Sequence, residues 1–341
     1  MTIPGRLRPC VSLRSIGIAV IGLFFTAACF GQATPTPTAT PQPAPSRTPE
    51  IVYEDPGGGP VRVKTDLVTL TLTVTDAYGR YVSDLKKNAF TIWDNNVEQD
   101  ITYFSDSDAP VSIGILFDVS GSMGGEKIRK AQQALSRFIS TSHPNDEYFL
   151  IAFNSRAQLL MDSTRDGDAV LRKLTLVKPK DQTALYDAVY LGIERVSRGA
   201  HDKKALLIIS DGQDNSSRYN FGEVRRLAKE SDVVTYVVGI MDKNDSSNSL
   251  GLQGQAFLDE IAGSTGGKAF YPNSDVEMDE IFERIALELR HQYSIGYLPK
   301  DFQPDGRWRK VKYKVKPPRG IPRLSVRGRE GYFATPNPSG H

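Results

Sequence analysis

The sequence predicts an α/β protein in which a doubly wound, mainly parallel sheet is inserted between two β-rich flanks that fold into one small β sandwich. Over 109–290, short apolar segments alternate with amphipathic helical patterns, which indicates a parallel sheet covered on both faces. Over 61–106 and 291–334, apolar and polar residues instead alternate with period two, as is typical of half-buried strands. Each flank alone is short for an independent domain, so we expect the two to fold together.

The first 28 residues are ordered like a secretory signal. Residues 1–14 are basic and contain no acid, residues 15–25 are apolar, and small residues precede Cys29. The segment 26–29 resembles a bacterial lipoprotein cleavage box, although Thr26 stands where leucine is usual. We expect 1–28 to be a signal peptide and Cys29 to be lipidated. Ordinary cleavage near Ala28 or Ala33 and an uncleaved anchor are the alternatives, and each of them places the chain in the periplasm, the cell envelope or the medium.

Residues 29–60 are predicted to be a linker, because Pro and Thr alternate over 33–49. Such a segment favours extended polyproline II, and it would reach roughly 50 Å at about 3.1 Å per residue. We expect the linker to hold a folded part away from a membrane. Residues 335–341 are expected to be a disordered tail.

The flanks are predicted to contain short strands. In the first flank we expect a strand over 67–74, and a hairpin that joins 90–93 to 101–104 through Asp94–Asn96. In the second flank the expected strands are 293–297, 309–315, 324–326 and 332–333. Basic residues mostly alternate with apolar ones over 309–315.

Between the flanks, the pattern predicts alternating strands and helices. The expected strands are 113–117, 148–153, a shorter one near Leu159, 205–209, 233–238 and 268–271. The expected helices are 126–139, 185–196, 222–230, 255–262 and 277–290. The last helix runs directly into the second flank, so we hypothesise that ligand binding is transmitted to the β module.

Small oxygen-bearing side chains follow the predicted elements at three places. Asp118, Ser120 and Ser122 come directly after the first strand of this region. Thr183 opens a helix, and Asp211 follows the strand that ends at Ile209. Each residue alone is explained equally well by a turn or a helix cap. Together they converge on the carboxyl edge of the sheet, where open α/β sheets bind ligands.

This pattern resembles the von Willebrand factor A domain. The spacing D-x-S-x-S, a threonine in the context TALYDA and the later SDG carry the resemblance, and the whole chain looks like a bacterial VWFA-related family common in acidobacteria. The resemblance implies a metal-ion-dependent adhesion site that binds Mg²⁺, Mn²⁺ or sometimes Ca²⁺. It implies that Ser120 and Ser122 ligate the ion directly. It also implies that Thr183 ligates directly or through water, and that Asp118 and Asp211 act mostly through water.

Such a site leaves a divalent cation short of negative charge. Mg²⁺ prefers six oxygens in octahedral geometry and keeps several waters. The three hydroxyls carry no charge, and the two carboxylates act partly from a distance. Together they neutralise the charge of the ion only incompletely. We therefore expect a partner protein to supply an Asp or Glu side chain, and the protein to be a non-enzymatic, extracytoplasmic adhesion or scaffold module. The alternatives are a metal-stabilised structural envelope protein and a metal-dependent hydrolase.

Composition excludes several other classes. There are 42 Lys and Arg against 40 Asp and Glu, and the resulting charge of +2 argues against nucleic acid or an anionic membrane surface as the main partner. We therefore expect contact with a membrane only through an N-terminal lipid or signal anchor. The two cysteines, Cys10 and Cys29, leave the rest of the chain without disulfides. No phosphate-binding loop of the type GxxxxGK[ST] is present.

Overall fold

A computed structural model describes residues 52–54, 60–62, 67–177, 179–180, 182–241, 249–320 and 323–335. The predicted signal over 1–28, Cys29, most of the linker and residues 336–341 lie outside the described residues. None of the helices in the described ranges is long and apolar enough to span a bilayer. All of the described residues belong to one compact unit.

Strands dominate both ends of the chain, and helices alternate with strands in the middle. In chain order the strands are β1 (Val52–Glu54), β2 (Pro60–Arg62), β3 (Val68–Asp76), β4 (Phe90–Asp94), β5 (Val97–Gln99), β6 (Ile101–Ser105), β7 (Val111–Asp118), β8 (Glu147–Phe153), β9 (Ala157–Thr164), β10 (Lys203–Ser210), β11 (Val234–Gly239), β12 (Ala269–Phe270), β13 (Tyr293–Tyr297), β14 (Trp308–Val315), β15 (Leu324–Arg327) and β16 (Gly331–Phe333). The α-helices are α1 (Glu126–Thr141), α2 (Gly167–Thr175), α3 (Leu185–Val196), α4 (Phe221–Glu230), α5 (Ser249–Ser264) and α6 (Asp275–Arg290). Strands β1 and β2 pair with each other, at the end of the predicted linker, where no strand was expected.

The central sheet has the order β12-β11-β10-β7-β8-β9. Its neighbouring strands are parallel, except that β9 runs antiparallel to β8 at one edge. Every residue of β7, β8 and β11 is buried, because α1, α2 and α6 cover one face and α3, α4 and α5 cover the other. The predicted fold class, a doubly wound and mainly parallel sheet, is confirmed.

Local sequence explains where the helices lie and begin. Helix α1 buries Ile128, Ala131, Leu135 and Phe138, whose spacing of three and four residues places them on one face. Helix α6 begins at Asp275, two residues before the predicted start, because the Ser274 side chain caps it by accepting a hydrogen bond from a backbone amide of the first turn.

Helix α2 was not predicted from the sequence. Its first turn is capped by Asp166, whose Oδ1 accepts a hydrogen bond from the Ala169 amide at 2.9 Å. Only Val170 and Leu174 are fully buried on its inner face. A helix this short buries too few apolar residues to produce a clear periodic pattern.

The two flanks form two four-stranded antiparallel sheets with the orders β15-β3-β13-β6 and β16-β14-β4-β5. Both sheets contain strands from before and after the central domain. Leu70, Leu72, Ile92, Ile295 and Val311 belong to the apolar core that the two sheets share. The α/β domain is therefore an insertion between β6 and β13.

The predicted hairpin from 90–93 to 101–104 is wrong. Strand β4 pairs with β5 across Asn95 and Asn96, whose φ angles are 45° and 70°. Two residues with positive φ form a tight hairpin turn, so the returning strand starts at Val97 rather than Ile101. Strand β6 instead crosses to the other sheet and pairs with β13.

A buried acid in α6 joins the central domain to the sandwich. Glu288 is 2% exposed. Its Oε1 accepts hydrogen bonds from Thr73 Oγ1 of β3 at 2.9 Å and from the Tyr236 hydroxyl of β11 at 2.7 Å. Arg327 of β15 forms an ion pair with the same carboxylate. Helix α6 is thus attached to β11 of the central sheet. It is also attached to two strands of the sandwich, β3 from before the central domain and β15 from after it.

Candidate metal centre

The strand register brings Asp118 and Asp211 to the same edge of the central sheet. Phe117 of β7 lies directly opposite Ile209 of β10 in a parallel pair. Asp118 is therefore the next residue along β7, and Asp211 comes two residues past Ile209. Both carboxylates are fully buried, since the exposed fraction of each residue is 0%.

Asp118 organises the loop that follows β7. Its Oδ1 accepts a hydrogen bond from the Ser120 amide at 2.8 Å, and its Oδ2 accepts one from the Ser210 hydroxyl at 2.6 Å. A 3₁₀ turn over Gly121–Met123 follows, and buried Met123 anchors it to the core. This turn brings the hydroxyls of Ser120 and Ser122 to 3.1 Å from each other, with Ser120 buried and Ser122 exposed. The loop therefore presents two adjacent hydroxyl oxygens beside a buried carboxylate.

The two carboxylates are poorly compensated. Burial, and after it the negative charge of Asp211, together raise the pKa of Asp118 to about 7. Asp211 Oδ1 accepts a hydrogen bond from the Gln213 amide at 3.2 Å, but its buried Oδ2 has no partner among the described residues. A buried carboxylate oxygen without a partner is costly, and a bound cation would remove that cost.

Thr183 is joined to the site through the backbone. It is 3% exposed. Its amide donates to Asn215 Oδ1 at 2.9 Å, and its carbonyl accepts from the Asn215 amide at 3.0 Å. Asn215 belongs to the loop after Asp211, and the Lys180 amide donates to the Val119 carbonyl at 2.9 Å. The three predicted loops are thus hydrogen-bonded to one another.

The five predicted residues are linked in different ways. Ser120 contacts Asp118 and Ser122 directly, whereas Asp211 acts on Asp118 through its charge. The Thr183 backbone is hydrogen-bonded to Asn215, and among the described residues the Thr183 hydroxyl makes no hydrogen bond to the other four.

Three further residues support the site, although no role was predicted for them: Ser210, Asp187 and Asn215. Ser210 Oγ donates to Asp118 and accepts from the Gly212 amide at 3.1 Å. Asp187 Oδ1, in the first turn of α3, accepts from the Arg218 amide at 2.8 Å, which fixes the far end of the loop after β10. Ser210 could have been noticed because it ends a strand next to Asp211. Asn215 has no comparable local signal.

The donor set fits a hard divalent cation. In the described ranges, no three side chains of His, Cys, Asp or Glu are grouped as metal ligands. A metal at this edge would therefore need hydroxyl oxygens together with the two carboxylates. Oxygen donors of this kind suit Mg²⁺, Mn²⁺ or Ca²⁺ rather than softer metals.

Comparisons with known proteins concern the central domain that carries these residues. The model of the von Willebrand factor type A domain matches residues 113–213, a range that contains all five predicted site residues. An uncharacterized protein of Synechocystis is 24% identical over 183 residues, which cover 52% of this chain and 41% of that protein. Bovine inter-alpha-trypsin inhibitor heavy chain H4 is 23% identical over 210 residues, which cover 56% of this chain and 22% of the inhibitor chain. The chain thus spans less than half the length of these two relatives.

Among solved structures, a von Willebrand factor type A protein from Catenulispora acidiphila is similar. It has a TM-score of 0.44 and 11% identity, and the match covers 79% of this chain and 74% of that one. Residues 113–213 thus match the von Willebrand factor type A domain, and the mainly parallel central sheet to which they belong agrees with that match.

Proposed function

We propose that this protein is an extracytoplasmic, non-enzymatic binding module that captures an acidic side chain of a partner protein through a divalent metal ion. The residues that would hold the ion are Asp118, Ser120, Ser122, Thr183 and Asp211. The observation that carries the proposal is the buried Asp118–Asp211 pair, with one orphaned carboxylate oxygen, beside the two serine hydroxyls. Domains of this class are generally adhesion modules, and those with such a site bind divalent metals.

The residues have different roles at the proposed metal site. When bound, a divalent ion supplies positive charge that offsets both carboxylates and attracts a third one from outside. Ser122 is exposed and Ser120 is buried, so the hydroxyl pair spans from the interior to the surface where a partner approaches. Asp118 orients Ser120 by accepting a hydrogen bond from the Ser120 amide. Because the hydroxyls are neutral, the ion keeps enough charge to hold a partner carboxylate.

A hydrolase with Ser120 as nucleophile is disfavoured by the positions of the described histidines. His201 contacts the Asn145 carbonyl, and His143 accepts from the Asn145 amide, just before β8 begins. The start of β8 lies at the opposite edge of the sheet from Asp118. His291 is at the end of α6, where it stacks on Tyr81. None of these three imidazoles is available as a base for Ser120.

Export is part of the proposal and is supported by the signal-like residues 1–28 and by a body without cysteine. Lipidation at Cys29 would attach the module to a membrane through the linker. Mass spectrometry of the exported protein tests both points, since a lipidated Cys29 at the new N-terminus is expected.

The binding proposal is tested by affinity capture from envelope extract with Mg²⁺ and with EDTA, using the wild-type chain and Asp118→Ala. A specific protein that is retained only by the wild type with Mg²⁺ supports it. Exposed Asp168→Ala, on the outside of α2, is the matched control and should capture normally. Equal capture in every condition contradicts the proposal. Metal-dependent melting without metal-dependent capture favours the structural alternative.

A further inference from the structure

One outer face of the β sandwich carries closely spaced lysines. Alternate residues of β14 point to the same face of their sheet, about 6.6 Å apart. The intervening Val311 and Val315 are buried in the sandwich core. Three exposed lysines of β14 therefore lie on the outside of this sheet, and a fourth, Lys316, follows the strand directly, where its amide still donates to the Ala89 carbonyl at 2.8 Å. We call them the lysine row: Lys310, Lys312, Lys314 and Lys316.

The neighbouring strand adds an aromatic ring to this face. Trp93 of β4 lies directly opposite Lys312, and residues that face each other in an antiparallel pair project to the same side. Trp93 is half-buried. Glu98 of β5, opposite Trp93, is the acidic residue on this face. The indole at the centre of the face therefore lies between Lys312 of β14 and Glu98 of β5.

Within the described part of the chain, the lysine row has no carboxylate at ion-pair distance. Lys312 donates a hydrogen bond to Asn96 Oδ1 at 2.7 Å, which leaves its charge uncompensated. The cations of the adjacent helix α4 differ in this respect. Arg225 and Lys229 are paired with Glu260, at 2.7 and 3.5 Å, so they do not extend the unpaired surface.

The nearly balanced charge of the whole chain does not reveal that its C-terminal part has an excess of cations. Residues 291–341 contain eleven Lys and Arg against three Asp and Glu, although the complete chain has a net charge of only +2. An anionic surface senses the local charge, because interactions are screened beyond about 8 Å at physiological salt. The near-neutral charge of the whole chain therefore does not exclude an anionic membrane surface as a partner of this face.

We propose that the lysine row docks the sandwich on a membrane surface that contains anionic phospholipids. Each lysine near such a surface favours binding, and a half-exposed indole is a typical residue of the membrane–water interface. Fewer than forty residues separate Cys29, the predicted anchor, from Val68 at the start of the sandwich. The sandwich is therefore the folded module next to the linker, and docking of this face would replace the expectation that the linker holds the folded part away from the membrane. This face is independent of the metal centre, which belongs to the other domain.

The test uses the exported chain with Cys29→Ser, so that no lipid is attached, and co-sedimentation with vesicles. We expect binding to phosphatidylglycerol–phosphatidylcholine vesicles, weak binding to pure phosphatidylcholine vesicles, and a decrease with salt. Each lysine is worth about fivefold in affinity. Replacing all four lysines of the row by glutamine should therefore weaken binding by at least a hundredfold, whereas replacing them by arginine should preserve it.

The matched control removes four exposed cations elsewhere. Its substitutions are Arg165→Gln, Lys173→Gln, Arg198→Gln and Arg284→Gln. This control should bind like the parent chain. The control and the glutamine variant of the lysine row should both have the circular dichroism of the parent. Equal binding to neutral vesicles, or unchanged binding of the glutamine variant of the row, overturns the proposal. Binding to soluble polyphosphate without binding to vesicles also overturns it and identifies a linear polyanion as the ligand.

Discussion

Asp118 determines the chemistry of the site because it is buried with little compensation. The carboxylate accepts two hydrogen bonds, and yet burial and the charge of Asp211 raise its pKa to about 7. A cation at this place would relieve the repulsion between the two acids. On the proposed function, the residue would therefore link metal binding to the stability of the domain.

Asp118→Asn tests this link. We expect Mg²⁺ affinity to fall by about tenfold to a hundredfold, since the variant keeps the shape and loses the charge. We also expect the metal-free variant to melt at a higher temperature than the metal-free wild type, because one buried charge is gone. Calorimetric titration with Mg²⁺ and thermal unfolding in EDTA measure the two effects. Asp168→Asn is the control, and equal Mg²⁺ affinity in Asp118→Asn would contradict the assignment.

The pH dependence of stability follows from the same residue. The pKa of Asp118 rises from 3.8 to about 7 on folding, so the folded state binds the proton more tightly than the unfolded state. This contribution to the free energy of unfolding is complete below about pH 4 and is lost as the pH rises through 7, by at most about 4 kcal/mol. Urea unfolding in EDTA between pH 5 and pH 8 measures it. The slope should become smaller in Asp118→Asn, and it should also shrink in the wild type when Mg²⁺ is in excess; burial also raises the pKa values of Asp146 and Asp214, so part of the slope remains.

At the scale of elements, the loop after β10 positions the start of α3. Asn215 holds the Thr183 backbone on both sides, and Asp187 holds the other end of the loop. Asn215 was not expected at the site because it has no local signal in the sequence, whereas Asp187 lies in the predicted TALYDA segment but had no predicted role. Their effect on Thr183 depends on two loops meeting across the sheet edge.

Asn215→Ala should therefore lower Mg²⁺ affinity by about tenfold, because Thr183 loses the acceptor that fixes its amide. Asn215→Asp retains an acceptor oxygen and should recover part of the affinity. The matched control is Asn220→Ala, which removes the capping box of α4 and costs about 1 kcal/mol of stability without changing Mg²⁺ affinity. If both alanine variants change Mg²⁺ affinity equally, Asn215 does not act by positioning Thr183.

At the scale of the whole molecule, Glu288 and its partners connect the two folded parts. Helix α6 ends at Arg290, and β13 of the sandwich begins at Tyr293. Contacts of the Glu288 carboxylate with β3, β11 and β15 surround this junction. The hypothesis that ligand binding is transmitted to the β module therefore has a defined contact through which it would act.

Glu288→Ala leaves Arg327 as a largely buried charge without its partner and should lower the free energy of unfolding by about 3–5 kcal/mol. Urea unfolding, followed by circular dichroism, measures the loss. Exposed Glu283→Ala on the same helix is the control and should change stability by less than about 0.5 kcal/mol. A similar small effect in Glu288→Ala would show that the junction is not held by this carboxylate.

Burial of whole strands explains why much of the fold was predictable. Strands covered on both faces, such as β7 and β8, consist of continuous apolar residues that are visible in the sequence. Short elements with one or two buried residues, such as α2 and β5, are not visible in this way. The pairing of β4 with β5 depended on the two-residue turn at Asn95 and Asn96, whose conformation the sequence pattern left open.

The class of fold, the insertion of the α/β domain between two β flanks and the five candidate metal-site residues were predictable from the sequence, because each leaves a local pattern of apolar periodicity or a short motif. Four other features appear only when the chain is folded: the orphaned buried oxygen of Asp211, the hydrogen bonds of Asn215 to Thr183, the junction at Glu288 and the open face of the lysine row. The physical reason is that burial, hydrogen bonding and local charge depend on which distant segments meet. No single stretch of the chain carries that information.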